Sequence, residues 1–386
     1  MPTRSTASRA SARSSARATA ARAGASRRCP VASRMSTPSP LDDGLTPGRF
    51  TEVLRGSGAL DGGRVVEVAV ETSRTTLVST IERLRLRYAG GDGPATLIRK
   101  EPRRDIAPDL ASVLGREVAF YTRVAPLMTA GLVPRCYGLD ASDNRRRLLL
   151  EDLTDSHTIV SEWPMPPTTE QCERIMDTYA TLHAQWWDDT RLGVTVGTWF
   201  DTDGTFDRHL AEFPKRLAAV ADRLADRFPP DRLAIYERLL DAAPRLLGRY
   251  RTHRDLTLVH GDAHVWNAFH PRDPSAGSIR LFDWDGWRVD TATDDLAYMM
   301  ALHWYPERRR RLERRLLERY HATLTARGVR GYSFAALFED YRLSALWQIT
   351  TPIWQASWRL NAAVWWSHLE RAMLAVDDLN CRELLG

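Results

Sequence analysis

Over residues 41–160 the apolar positions alternate or gather in short runs, the spacing of strands rather than helices. Residues 64–71 and 81–88 are rich in β-formers, and Gly90-Gly91-Asp92-Gly93 marks a turn into a third run, 95–100. One stretch departs from this: Leu110, Val113, Leu114, Val118 and Tyr121 share one side of a helix expected over 110–128. Residues 147–150 form a further short strand, ending at Glu151-Asp152-Leu153.

A proline-rich connector at 163–167 closes this region, and the period then becomes helical. Thr168 and Gln171 form a capping box for a helix to 187, with Cys172, Ile175, Tyr179, Leu182 and Trp186 as its apolar stripe. Further helices are expected at 206–228, 231–253, 307–327 and 334–358, with short strands at 257–260 and 279–283. The pattern predicts an α+β protein with a β-rich N-terminal lobe, 41–153, a mostly helical C-terminal lobe, 154–386, and no internal repeat.

Composition changes that picture only at the N-terminus. The 386-residue chain has ample material for a large core, and its longest apolar run, 296–305, falls well short of the roughly 18 residues of a membrane span. Residues 1–34 carry eight arginines and no acid, so the formal charge of +5 becomes −3 for the remainder, which removes the main argument for nucleic-acid binding. Residues 1–40, rich in Arg, Ser and Ala, are expected to be disordered. They read as an organelle-type leader, as a basic tail for an anionic partner, or, the favoured reading, as an upstream start with Met35 as the true one. Four widely spaced cysteines suggest neither a zinc site nor a disulfide framework, which suits a reducing cytoplasm. Only Lys100 and Lys215 are lysine among 54 basic residues, so a retained lysine points to a need for its compact ammonium.

The chemistry concentrates in 260–285. A short apolar strand delivers His260, Asp262, His264 and Asn267 to a loop, and a second strand (Ile279, Leu281, Phe282) delivers Asp283 and Asp285. Phosphoryl transfer needs a carboxylate to take the hydroxyl proton and hard oxygen ligands for the magnesium that screens the phosphates. Asp262, with Asn267 five positions on and a separate Asp283, reproduces the protein-kinase spacing. An alternative is a metal-dependent hydrolase, in which His260, Asp262 and His264 alternate to face a zinc ion.

His-Gly-Asp-x-His-x-x-Asn (260–267) followed by Asp-Trp-Asp (283–285) resembles the aminoglycoside phosphotransferase and choline kinase family, near its ecdysteroid-kinase-like branch. Leu182-His183-Ala184, Asp295-Leu296-Ala297 and the ending 378–385 are similar too, and the likeness spans about 50–385. The resemblance implies a two-lobed protein-kinase-like fold, ATP and Mg2+ as cofactors, Asp262 as base, and Asn267 and Asp283 as metal ligands. It makes His260 and His264 structural, Asp285 a support of the metal shell, and Asp295 a brace for the loop. Lys100 would reach the phosphates, held by Glu117 in the helix over 110–128, whose stretch 116–121 resembles the family's helix at this point. The phosphate-covering segment 71–79 lacks glycine, leaving Ser73, Thr75, Thr76 and Arg74 as candidate contacts; Glu151 and Leu153 would neighbour the adenine.

The expected activity is transfer of a γ-phosphate to the hydroxyl of a small molecule, with a catalytically silent nucleotide-binding module as the alternative. A protein kinase proper fits less well, since Gly261 stands where those enzymes favour arginine and Trp284 follows Asp283. Trp347, Trp354, Trp358 and Trp365, spaced seven, four and seven, read as one helical face, either a core stripe or a substrate wall. A polycationic acceptor would call on Glu370, Asp377 and Asp378.

Overall fold

The computed structural model describes residues 46–76, 78–103, 115–140, 147–202, 204–275 and 277–386. The tail at 1–40, the Met35 alternative, and Leu110, Val113 and Leu114 of the expected helix lie outside the described residues.

The first element was not expected from the sequence. Thr46 caps helix α1 (Pro47–Gly56), and Pro47 opens it, where a missing N–H costs nothing. Five antiparallel strands follow in the spatial order β1-β2-β3-β5-β4: β1 (Arg64–Thr75), β2 (Ser79–Ala89), β3 (Thr96–Pro102), β4 (Cys136–Asp140) and β5 (Arg147–Glu151). Alternation gives the sheet two faces. Leu84, Leu97 and Leu149 pack against Phe50 and Leu54 of α1, while Leu148 and Leu150 join the main core on the other side. Each such buried side chain contributes about 1.5–3 kcal/mol, so α1 is held by its apolar face rather than by its ten residues of helix.

Residues 115–124 form α2, which widens to a π-turn over Phe120–Val124. The C-terminal lobe begins with β6 (His157–Ile159) and α3 (Thr169–Trp186), whose capping box is as the sequence predicts. Helices α4 (Thr205–Leu224) and α5 (Pro230–Leu246) form an excursion before the chain returns. It then lays down β7 (Thr257–Val259), β8 (Ala268–Pro271), β9 (Arg280–Leu281) and β10 (Arg288–Asp290). β10 pairs with β7, and β8 lies between β6 and β9, so the two loops that carry the candidate residues leave from adjacent small sheets.

Helices α6 (Thr293–Ala297), α7 (Pro306–Ala326), α8 (Phe334–Trp347), α9 (Thr350–Ser357) and α10 (Ala362–Asp378) complete the lobe. Three expected helices end early. α4 stops where Ala225 takes φ 50°, and α5 passes into a 3-10 turn over Leu247–Thr252. The stretch 334–358 is two helices with the break at 348–349, because Pro352 has no N–H for the Gln348 carbonyl four residues back and its ring crowds that carbonyl.

Candidate active site

Lys100 stands on β3, on the face that carries Ile81 of β2 and Leu148 of β5. Its Nζ lies 2.6 Å from Glu117 Oε2 on α2 and 2.6 Å from Asp283 Oδ1, which follows β9. Three distant segments therefore meet on one ammonium. Burial works against that charge, but the two carboxylates more than offset it and hold the Lys100 pKa above its usual value. For Asp283 burial pushes upward, yet the Lys100 ammonium wins and keeps its carboxyl below the usual range. For Glu117, fully enclosed, burial wins and the pKa rises.

The segment after Asp283 locks α2 in place. Trp284 stacks on Phe120 with ring centroids 3.9 Å apart, one helical turn beyond Glu117, and Trp287 Nε1 donates to the Arg116 carbonyl at 2.8 Å. Asp283 itself has φ 68°, a left-handed conformation that aspartate tolerates better than most residues.

The loop after β7 is built on Asp295. Its carboxylate accepts the His260 amide at 2.7 Å and the Gly261 amide at 2.8 Å, and His183 Nε2 stands 3.2 Å away. Although burial pushes the Asp295 carboxyl up, these donors hold it below its usual value. Gly261 is required: with φ 78°, a Cβ there would stand 2.0 Å from the Gly286 carbonyl oxygen. His260 Nε2 donates to the Phe282 carbonyl at 2.9 Å, and its Nδ1 accepts the Asp262 amide at 3.3 Å. Burial lowers its pKa, so His260 is a neutral strut between the two loops. With both nitrogens occupied it has none for zinc, which removes the hydrolase arrangement of His260, Asp262 and His264.

The Asp262 carboxylate is held from two sides. Tyr298 donates to Oδ1 at 2.6 Å and Asn267 Nδ2 to Oδ2 at 2.8 Å; His264 Nε2 lies 3.6 Å from Oδ2. Asn267 Nδ2 also donates to the Asp262 carbonyl at 3.0 Å, which spends its donors and leaves its carbonyl Oδ1 as a hard ligand. Close by, Asp285 is pushed up to about 8 by burial and by the charges of Asp283 and Asp262. Such crowding of carboxylates suits a divalent cation. Among the described residues no three His, Cys, Asp or Glu side chains converge as a preformed cage.

Other expected residues fall as follows. The 71–79 segment is mostly strand, since β1 runs on to Thr75 and Thr76 closes a tight turn, its Oγ1 donating to the Ser79 carbonyl at 3.0 Å. The register pairs Arg74 with Ile81 and Ile81 with Lys100, placing Arg74 on the Lys100 face. Ser73 pairs with Glu82 and Thr75 with Thr80, so both face the opposite side from Lys100, and Ser73 Oγ lies 3.4 Å from Glu82 Oε1. Glu151 ends β5 and accepts the Arg135 amide at 3.0 Å; Leu153 is buried and its carbonyl accepts the His157 amide at 2.8 Å.

The tryptophans do not share a face. Trp347 ends α8, Trp354 and Trp358 belong to α9 and its cap, and Trp365 is buried on α10, whereas Trp358 is 60% exposed. Trp347 and Trp354 do line one small cavity of about 50 Å³ with Phe206, His209 and Phe213. The acids proposed for a polycation are engaged by arginines: Glu370 by Arg232 at 2.6 and 2.7 Å, Asp377 by Arg382 at 2.7 Å, and Asp378 by Arg310 at 2.7 Å. Tyr298 was not singled out in the sequence. Its only local signal is its place one turn after Asp295.

A five-stranded lobe holding a lysine–glutamate pair, set over a helical lobe with this loop, defines a kinase-like phosphotransferase. The profile of the phosphotransferase enzyme family, APH, matches residues 78–338, and the chain belongs to that family. Among solved structures, a microcompartment-associated aminopropanol kinase is similar with a TM-score of 0.50, covering 86% of this chain and 96% of its own. At 14% identity that likeness is one of fold. No curated protein sequence matches the chain.

Proposed function

We propose that this chain transfers the γ-phosphoryl group of ATP to a hydroxyl of a small molecule. The observation that carries this is the Lys100 ammonium bridging Glu117 and Asp283, which joins a phosphate-binding strand to a metal-binding loop. Lys100 neutralises phosphate charge, and Glu117 orients it. Arg74 and the backbone amides of the β1–β2 turn cover the phosphates, with Ser73 and Thr75 shaping that hairpin. Main-chain groups near Glu151 and Leu153 take the adenine.

Asn267 Oδ1 and the Asp283 carboxylate would hold Mg2+, with Asp285 behind them. The ion's contribution is to screen the phosphates and the charge that develops on transfer. Asp262 accepts the acceptor's hydroxyl proton as its oxygen bonds to the γ-phosphorus; the bond from that phosphorus to the bridging oxygen breaks, and ADP leaves with the electron pair. His260 and Asp295 set the loop without touching substrate. The free thiols of Cys136, Cys172 and Cys381 and the use of ATP both suit a cytoplasmic enzyme.

The test incubates the chain with Mg-ATP and a panel of alcohols and reads the mass gain of one phosphoryl group. Amino alcohols, aminoglycosides, choline, sterols and sugars make up the panel, the first because the kinase of similar fold is an aminopropanol kinase. Transfer that disappears in Asp262→Ala supports the reading. Magnesium-dependent nucleotide binding without turnover on any acceptor points to the silent module instead.

A further inference from the structure

Tyr298 holds the one oxygen of Asp262 that Asn267 does not, and it does so from the helix that also braces the loop backbone. Asp295, within α6, and Tyr298, directly after it, lie one turn apart on the same side of the helix. The first accepts the amides of His260 and Gly261, and the second donates to Asp262 Oδ1 at 2.6 Å. Tyr298 is the first residue of a π-turn, Tyr298–Leu302, a widening of the helix that often marks functional sites. That turn is itself fastened. His303 Nδ1 donates to the Tyr298 carbonyl at 2.8 Å, and Arg371 of α10 donates to the His303 carbonyl at 3.1 Å.

We propose that Tyr298 is a positioning residue that fixes the rotamer of Asp262 and so aims its second oxygen at the acceptor hydroxyl. The inference rests on Asp262 being the base. A carboxylate on a short loop has a soft terminal torsion, and two donors on different oxygens remove that freedom. Each oxygen then has one lone pair committed to a donor, Oδ1 to Tyr298 and Oδ2 to Asn267, and its other lone pair is held in a set direction.

The structure and the rate test this separately. In crystals of Tyr298→Phe, Asp262 is expected to spread over more than one rotamer while β7 and α6 stay in place. A single, unchanged Asp262 rotamer in that variant overturns the proposal, and this arm requires no acceptor and no turnover. Phosphate release from Mg-ATP with water as acceptor should fall on the order of 100-fold in kcat with KM for ATP unchanged. Loss of ATP affinity and melting temperature together with kcat would instead mark a purely structural tyrosine and sink the proposal. Should Tyr298→Phe fold poorly, Tyr298→His, which alters the donor's reach, should show the same spread. Failure of the wild-type chain to bind Mg-ATP refutes the kinase reading and leaves the crystallographic arm to decide on Tyr298.

Discussion

Lys100 and Asp283 are separated by 183 positions in the chain and by 2.6 Å in space. The contact ties the β-sheet lobe to the helical lobe across the cleft, with Glu117 as the third member. Lys100→Met leaves the buried Glu117 carboxylate without its partner and facing the part-exposed Asp283. Breaking a buried pair in this way costs about 3–5 kcal/mol, so chemical unfolding should show a loss of that size together with loss of ATP affinity. Lys100→Arg should not restore affinity, because a planar guanidinium cannot occupy the point where two carboxylates converge.

Asp295→Asn replaces a carboxylate with a group that has one acceptor oxygen and one donor. The amides of His260 and Gly261 both need acceptors, and the new NH2 would face one of them. Losing a charged hydrogen bond and orphaning a buried amide should cost about 3 kcal/mol in urea unfolding. Turnover should fall further than stability explains, since the same amides set the loop carrying Asp262.

Gly261→Ala is expected to fail outright. The added methyl meets the Gly286 carbonyl at 2.0 Å, a backbone atom that cannot rotate away, and φ 78° is unfavourable for alanine. Soluble yield and a thermal melt report it; a variant that melts like the wild type contradicts the close approach of Gly261 to Gly286.

Three buried histidines predict acid sensitivity. Burial lowers His303 well below its usual value, His270 to about 4 and His368 to about 3. The unfolded chain binds their protons near pH 6.5, whereas the folded chain does not until far lower pH. Stability is therefore full above about pH 6.5 and falls as pH drops, by about 1.4 kcal/mol per pH unit for each histidine until its folded value is reached. His270→Gln should flatten this slope below pH 6.5 in a series of urea melts.

Much of the site was readable because its residues are local in sequence. Asp262 and Asn267 sit on one loop, so their spacing carries the information, and the scarcity of lysine drew attention to Lys100, which the structure places between Glu117 and Asp283. Tyr298 was not readable. Its partner lies 36 positions away, and nothing in the surrounding Asp-Leu-Ala-Tyr distinguishes a tyrosine that holds a carboxylate from one that fills a core.

The sequence by itself determined the elements whose signals are local: the capping box of α3, the alternation of β2 and β3, the His-Gly-Asp loop and the two-lobed class of the fold. Tertiary structure decided facing, contact and interruption. Ser73 and Thr75 turn from Lys100 because a register shift between Val70 and Thr72 resets the alternation, and such a shift depends on the partner strand. α1 exists because the sheet offers Phe50 and Leu54 a face, and the tryptophans part company where Pro352 interrupts their helix. Side-chain period is written in neighbouring residues, but which surface a period meets is set by segments far along the chain.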